Sequence, residues 1–114
     1  MSDEVLKYLY DINEAIEHID IHLDRQRDYA LFSGNITVRR AVERELEIIG
    51  EAVNVVLRLE PAIPISQARR IVDLRNHVIH AYDRVDLPII WSIVTRSLPI
   101  LQAEVRALLA TGTQ

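Results

Sequence analysis

Residues 38–60 read VRRAVERELEIIGEAVNVVLRLE, and this stretch decides the fold. Its aliphatic residues recur at intervals of three, four or seven positions along two adjacent lines, which are Val38, Val42, Ile49, Val53, Val56 and Ala41, Ile48, Ala52, Val55, Leu59. Only a narrow strip is polar, and it consists of Arg40, Glu43, Arg44, Glu47, Glu51, Asn54 and Arg58. A helix that is apolar around most of its circumference lies inside a bundle or in an oligomer interface. We therefore expect a long central helix that stops at Pro61.

Three further helical segments accompany this one, and no segment alternates apolar and polar residues as a strand does. The first is expected from the cap Ser2 to about Arg27, with an apolar seam at Val5, Leu9, Ile12, Ile16, Ile19 and Leu23. A turn is expected at residues 33–35, with Thr37 capping the central helix. The chain is thus predicted to be all-α, an up-down four-helix bundle formed as a single domain over residues 1–114.

The third and fourth helices follow the stiff connector at residues 61–64. Ser66 is the expected cap of the third helix, which should fray near Ala81 or Tyr82. Asp86 is the expected cap of the fourth, and Pro99 should kink it. Its apolar side is predicted to comprise Leu87, Ile90, Trp91, Val94, Leu98, Leu101, Val105 and Leu108.

Composition excludes several classes of protein. The 114 residues include no cysteine, which removes disulfides and cysteine-based metal or nucleophile chemistry. No apolar run is long enough to span a membrane, and the acidic N-terminus does not resemble a signal leader, so we expect a cytoplasmic protein. A net charge of −4 makes general affinity for nucleic acid weak. A nucleic-acid role would need a local cluster, which Arg69, Arg70, Arg75 and Arg84 could supply although Asp73, Asp83 and Asp86 dilute it.

Residues 75–82, which read RNHVIHAY, concentrate the polar chemistry of the chain. Arg75 lies three or four residues from Ile71 and Ile79, so on a helix it falls inside the apolar stripe. A guanidinium cannot be neutralised in a protein, and its burial without a partner is costly. Arg75 is therefore either matched by an acid or faces a groove that holds an anion.

The helical spacing of this motif constrains any site it forms. Asn76 and His80 are four residues apart, so the amide can orient the imidazole, and Tyr82 adds a polar tip at the same helix end. Arg75 and His80 point about 140° apart on a straight helix. A dense site needs either a break near His80 or a second copy of the helix across a two-fold axis.

Histidine and arginine without a metal suit cleavage of RNA by its own 2′-hydroxyl. His80 could move the proton of the 2′-hydroxyl or of the leaving oxygen, and Arg75 could stabilise charge on the phosphate. The products would be a 2′,3′-cyclic phosphate and a 5′-hydroxyl. Tyr82 could stack on a base or bond a phosphate.

Two other clusters are candidates for metal sites. His18 and His22 have the spacing of two metal ligands, but solvated or half-buried histidines are the preferred interpretation. Glu43, Glu47 and Glu51 share one helix face without the Glu-x-x-His pairs of diiron bundles, so a solvated face partly paired with arginines (Arg39, Arg40 and Arg44) is preferred. We expect no metal and no cofactor.

With the pattern Arg-x4-His-x-Tyr at Arg75, His80 and Tyr82, and Asn76 after the arginine, the sequence resembles the HEPN superfamily and within it the HepT-like toxins. The resemblance extends to residues 11–12, 15–16, 41–44, 46–52, 85–86, 91 and 98–99. One departure is Ile65, where tryptophan is expected, which puts the local packing in doubt.

The resemblance implies a helical bundle that dimerises through the motif helices. It also implies a metal-independent endoribonuclease toxin of the type VII toxin–antitoxin class, with Arg75 and His80 as catalytic residues and Asn76 as a supporting residue. It further implies a partner antitoxin, a nucleotidyltransferase of the MntA type, that transfers AMP to Tyr82.

Two rival hypotheses stay open. One is a non-catalytic HEPN subunit that presents a nucleotide or substrate to a nucleotidyltransferase, which the net charge of −4 favours. The other is a plain dimeric bundle in which Arg75 forms a structural ion pair.

Overall fold

The computed structural model describes the backbone of residues 1–79 and 86–112 and, outside residues 75–79, their side chains. This part of the chain is helical and has no strand. The elements are α1 (Asp3–His22), α2 (Tyr29–Gly34), α3 (Ile36–Leu59), α4 (Ala68–Ile79), α5 (Leu87–Ser92), a π-helical segment (Ile93–Ser97) and α6 (Leu98–Gly112). The predicted all-α bundle is confirmed, with α2 as an additional short helix.

Helix α1 begins as predicted and ends earlier than predicted. The Ser2 hydroxyl accepts a hydrogen bond from the Val5 N–H at 3.2 Å, and all six residues of the predicted seam are buried. The helix ends at His22 rather than near Arg27, because Asp24 and Arg25 adopt left-handed φ angles of 54° and 57°. The Arg25 N–H then donates to the Asp20 carbonyl at 2.8 Å, which is a Schellman-type closure formed without glycine.

Helix α2 occupies the segment where the sequence predicted only a turn. The Asp28 carboxylate accepts hydrogen bonds from the N–H groups of Ala30 and Leu31 at 2.9 and 3.3 Å. Phe32 is fully buried and stacks on Trp91 with 5.2 Å between ring centroids. A single buried aromatic residue thus anchors a helix too short to show a periodic pattern.

Helix α3 is the central helix, and it packs against α1, α2 and α4. It is capped by Asn35, whose Oδ1 accepts from the Val38 N–H at 3.2 Å, so the predicted cap Thr37 is wrong by two residues. The first predicted apolar line is confirmed as buried from Val42 onward. The second is only half correct, because Ile48 and Leu59 are 36% and 42% exposed.

The chain reaches α4 through a buried connector. Ile63 and Ile65 each retain only 7% exposure, so an isoleucine fills the position where tryptophan was expected. The Gln67 carbonyl accepts from the Ile71 N–H at 2.9 Å, which places Gln67 rather than Ser66 directly before α4. The Ser66 N–H donates instead to the Glu104 carboxylate at 3.1 Å, which ties the start of α4 to α6.

The predicted fourth helix is a continuous stack of α5, the π-helical segment and α6. Asp86 stands at the cap position, although its side chain makes no capping hydrogen bond, and Pro88 follows in the first turn. Where a kink was predicted at Pro99, the structure has a π turn just before the proline, in which the Leu98 N–H donates to the Ile93 carbonyl. A proline ring crowds the carbonyl four residues earlier, and a wider turn relieves this crowding. No helix in the described ranges is long and apolar enough to cross a membrane.

Candidate functional site

The predicted motif begins within α4. Arg75 and Asn76 belong to this helix, while His80 and Tyr82, and the predicted fraying near them, lie outside the described residues. Arg75 follows the fully buried Ile71 by four residues, which is about 40° around a helix. The backbone of α4 therefore carries residue 75 along the side on which Ile71 packs into the core.

The half of α4 that precedes the motif separates an apolar side from a charged side. Ile71 and Leu74 are fully buried, whereas Arg69, Arg70 and Asp73 are exposed. The predicted apolar stripe is therefore confirmed at Ile71, and Leu74, which the prediction did not include, is buried as well. Burial of this stripe fixes the rotation of α4 and so determines which surface its charged residues reach.

An open groove of about 520 Å³ lies along this charged side of α4. It is lined by Ser66, Gln67, Arg69, Arg70, Asp73, Ile89 and Ile93. The start of α4 forms one wall, and α5 with the π-helical segment forms the other. Two members of the predicted basic cluster, Arg69 and Arg70, thus share one groove on the helix in which the motif begins.

A second groove of about 520 Å³ lies between α1 and α3 and has the opposite electrostatic character. Its lining contains three carboxylates and one arginine among Tyr8, Asp11, Arg44, Glu47, Ile48, Glu51 and Ala52. A cleft lined mainly by carboxylates repels a polyanion. Of these two equally large grooves, only the one along α4 presents more cations than anions.

The predicted interpretation of His18 and His22 as half-buried histidines is confirmed, and the structure adds a partner that the sequence did not reveal. His22 Nε2 lies 3.0 Å from Glu45 Oε2, and His18 Nδ1 lies 3.3 Å from the same oxygen. The Glu45 side chain is only 11% exposed. Among the described residues, no group of three or more His, Cys, Asp or Glu side chains has an arrangement that could hold a metal ion.

The expected solvated face of α3 is correct for Glu47 and Glu51 and wrong for Glu43. Glu43 is 4% exposed and lies 3.0 Å from Arg40 and 3.8 Å from the buried Arg39. The predicted pairing with arginines holds, since Arg44 also lies 3.6 Å from Glu47. Packing of α2 over the start of α3 explains the burial, because the Arg39 guanidinium donates to the Ser33 carbonyl at 3.3 Å.

Comparison with known proteins agrees with the resemblance seen in the motif. The family described as "Ribonuclease HepT-like" matches residues 12–108. A Methanocaldococcus jannaschii protein named "Putative RNase MJ1380" is 36% identical over 103 residues, which cover 90% of this chain and 94% of that relative. A Thermococcus cleftensis protein named "Probable ribonuclease HepT" is 39% identical over 101 residues, which cover 85% and 88% of the two chains. No solved structure matches this chain.

Proposed function

The chain belongs to the HepT-like ribonuclease family, and we propose that it is a metal-independent endoribonuclease that acts as the toxin of a type VII toxin–antitoxin pair. The observation that carries the proposal is the family match over residues 12–108, which includes the complete motif from Arg75 to Tyr82. The names of the two relatives support a ribonuclease in particular.

The proposed chemistry assigns one role to each residue of the motif. His80 acts as the acid and base, because an imidazole exchanges protons near neutral pH. Arg75 stabilises the charge that develops on the scissile phosphate, since its donors are permanently charged. Asn76 orients His80 or contacts a phosphate, and Tyr82 contacts the substrate. Attack by the 2′-hydroxyl expels the 5′-oxygen of the next nucleotide and leaves a 2′,3′-cyclic phosphate.

The proposed assembly is a homodimer in which the motif helices face each other across a two-fold axis. The position of Arg75 one turn after the buried Ile71 supports a site that is completed by another surface rather than by solvent. A dimer would also double the cationic groups in one cleft, which raises the local field of an acidic chain.

The proposed regulation is transfer of AMP to Tyr82 by a nucleotidyltransferase antitoxin of the MntA type. An adenylate adds a bulky group and an anionic phosphodiester to a cleft that receives RNA phosphates. It would occupy the site and repel the substrate. This proposal places the protein in the cytoplasm together with its antitoxin and its RNA substrate, as a single HEPN domain over residues 1–114.

The net charge of −4 favours one alternative. In it, the chain is a non-catalytic HEPN subunit that binds a nucleotide within a nucleotidyltransferase complex. This alternative predicts a tight complex with the nucleotidyltransferase and nucleotide binding, without RNA cleavage.

The deciding experiment is cleavage of total RNA by the purified chain in EDTA, with end-group analysis of the fragments. His80→Ala is the test variant, and His18→Ala is the matched control because it removes a histidine that lies outside the motif. We expect cyclic phosphate ends from the wild type and from His18→Ala, and intact RNA with His80→Ala. If the wild type does not cleave RNA while its intact mass shows an unmodified Tyr82, the ribonuclease proposal is wrong and the non-catalytic binding subunit is favoured.

A further inference from the structure

The groove along α4 offers a second set of cations beside the motif. Arg69 and Arg70 are adjacent in sequence, exposed, and both line this groove. Neither forms an ion pair within 4 Å of any described carboxylate, although Asp73 lines the same groove. On the described surface, both charges are exposed at the groove.

The position of these arginines is unfavourable for the stability of the helix itself. They stand in the first turn of α4, and that turn contains no acidic residue. Cations at a helix N-terminus oppose the helix dipole, whereas α1 carries Asp3 and Glu4 at the equivalent place. Residues that break a local rule of this kind without a compensating contact are candidates for a function.

The groove lies on the helix in which the motif begins. Arg69 precedes Arg75 by six residues, which is about 9 Å along a helix axis. Arg69 and Arg70 are also about 120° and 140° from Arg75 around the helix, so they lie on a different side of α4. An RNA strand whose scissile phosphate lies at Arg75 would therefore bring a neighbouring phosphate to Arg69 and Arg70 where it passes around α4.

The opposite wall of the groove is apolar. Ile89 is 39% exposed on that wall, and Ile93 lies beneath it in the core. Arginines bind phosphates and stack on bases, and an exposed isoleucine gives an apolar surface for a ribose or base face. A volume of about 520 Å³ is within the usual range for small-ligand sites, and it accommodates one nucleotide unit.

We propose that Arg69 and Arg70 position the substrate by binding the phosphodiester backbone of single-stranded RNA near the bond that is cleaved. This inference rests on the proposed function, and it adds residues outside the Arg-x4-His-x-Tyr motif to the RNA-binding surface. Arg69 and Arg70 are positioning residues, because they act on a phosphate that does not react. Asp73 moderates their field.

The first test measures binding separately from cleavage. A short, fluorescein-labelled RNA with 2′-O-methyl groups throughout cannot be cut by 2′-hydroxyl attack, so its anisotropy reports binding to the full-length protein. We expect R69A/R70A to weaken binding by at least tenfold at low salt. The log–log salt dependence should become shallower by about 0.7 for each phosphate that the variant no longer neutralises.

The control variant is R25A/R44A, which removes the same charge. The Arg25 and Arg44 side chains are 74% and 73% exposed, and neither lines the groove along α4. We expect this control to bind RNA within twofold of the wild type with an unchanged salt slope. Asp73→Asn should change affinity in the opposite direction and bind more tightly, because it removes an anion from the groove.

The second test measures cleavage kinetics. We expect R69A/R70A to raise KM with kcat nearly unchanged, whereas His80→Ala abolishes kcat. A lower kcat without a change in KM would overturn the positioning role, and so would equal RNA affinity for R69A/R70A and the wild type. If R69A/R70A binds RNA normally but no longer binds its antitoxin, the groove is a protein-binding surface and the inference is wrong.

These outcomes separate the two proposals. If the wild type binds the methylated RNA through Arg69 and Arg70 but cuts no unmodified RNA, the proposed ribonuclease activity fails and the groove assignment stands. If the wild type cuts RNA and R69A/R70A does so with unchanged KM, the ribonuclease activity stands and the groove assignment fails.

Discussion

The imidazole Nε2 of His22 lies 3.0 Å from Oε2 of Glu45, and this contact joins the last turn of α1 to the first half of α3. His18 reaches the same oxygen from one turn earlier, at 3.3 Å. One largely buried carboxylate is therefore held by two histidines, each of which remains about one third to one half exposed. The pair fixes α1 against the central helix at the point where α1 leaves its helical path.

We expect Glu45→Gln to lower the free energy of unfolding by about 1–3 kcal/mol, because hydrogen bonds to a charged group in a partly buried place contribute on that scale. The amide keeps the shape of the side chain and removes the charge. Urea unfolding at neutral pH and one fixed protein concentration measures the change. Glu14→Gln is the control, since Glu14 is 49% exposed and lies 3.8 Å from His18. Equal midpoints for the two variants would contradict a stabilising role for Glu45.

We expect the buried pair of Arg39 and Glu43 to show strong coupling in a double-mutant cycle. Arg39 Nε and Glu43 Oε2 have no hydrogen-bond partner in the described part of the chain, and the two atoms lie 3.8 Å apart. Glu43→Leu alone leaves a buried guanidinium without its carboxylate, which should cost about 2–4 kcal/mol. Arg39→Met combined with Glu43→Leu should recover most of that stability, because no unpaired charge stays buried.

The exposed pair of Arg44 and Glu47 gives the matched cycle on the same helix. These side chains lie 3.6 Å apart and are 73% and 48% exposed. Alanine substitutions should couple by less than about 0.5 kcal/mol, because water screens the pair. Chemical denaturation of all six variants would show whether burial rather than pairing controls the energy. Equal coupling energies in the two cycles would disprove the claim that burial determines the energy of the pair.

We expect Arg75→Lys to lower kcat for RNA cleavage by about 10²–10³-fold, the range seen when a donor to a developing oxyanion is removed. Lysine keeps the positive charge but lacks the planar set of donors that matches a phosphate. Single-turnover cleavage of a labelled RNA measures the effect. Arg75→Met with unchanged cleavage and a raised unfolding midpoint would instead identify Arg75 as a structural ion-pair residue.

We expect Tyr82→Phe to keep measurable RNA cleavage, because the ring that contacts the substrate remains, and to escape neutralisation by the antitoxin, because phenylalanine has no hydroxyl to accept AMP. Incubation with the nucleotidyltransferase and ATP, followed by intact mass and an RNA cleavage assay, measures both properties. Tyr10→Phe is the control, since Tyr10 is 58% exposed and its replacement should leave modification at Tyr82 intact. Adenylate on the Tyr82→Phe variant would show that the acceptor lies elsewhere.

Periodicity predicted the parts of the fold that depend on long apolar stripes. Every residue of the α1 seam is buried, and so are Val42, Val53 and Val56 on α3. Such stripes bury surface repeatedly along one direction, so their signal adds up over several turns. The ends of the helices were predicted less well, because an end depends on only a few residues. Asp24 and Arg25 adopt left-handed φ angles and end α1, although the sequence has no glycine or proline there to indicate an end.

The candidate site divides in the same way. The motif from Arg75 to Tyr82 was visible because its spacing is local and because it resembles a family pattern. The groove beside it could be predicted only in part. The arginines of the basic cluster can be identified from the sequence, but the residues that form the opposite wall cannot. Ile89 comes to line the same groove as Arg70 only when α5 folds back along α4.

The sequence alone determined an all-helical bundle, its central helix and the motif that begins in α4, because helical spacing and residue chemistry are properties of neighbouring positions. The tertiary structure decided that Glu43 and Glu45 are buried while Ile48 and Leu59 are exposed. It also decided which arginines line a groove that is open to solvent. Burial and pairing depend on which helix packs over a given face, and residues distant in the chain supply that helix.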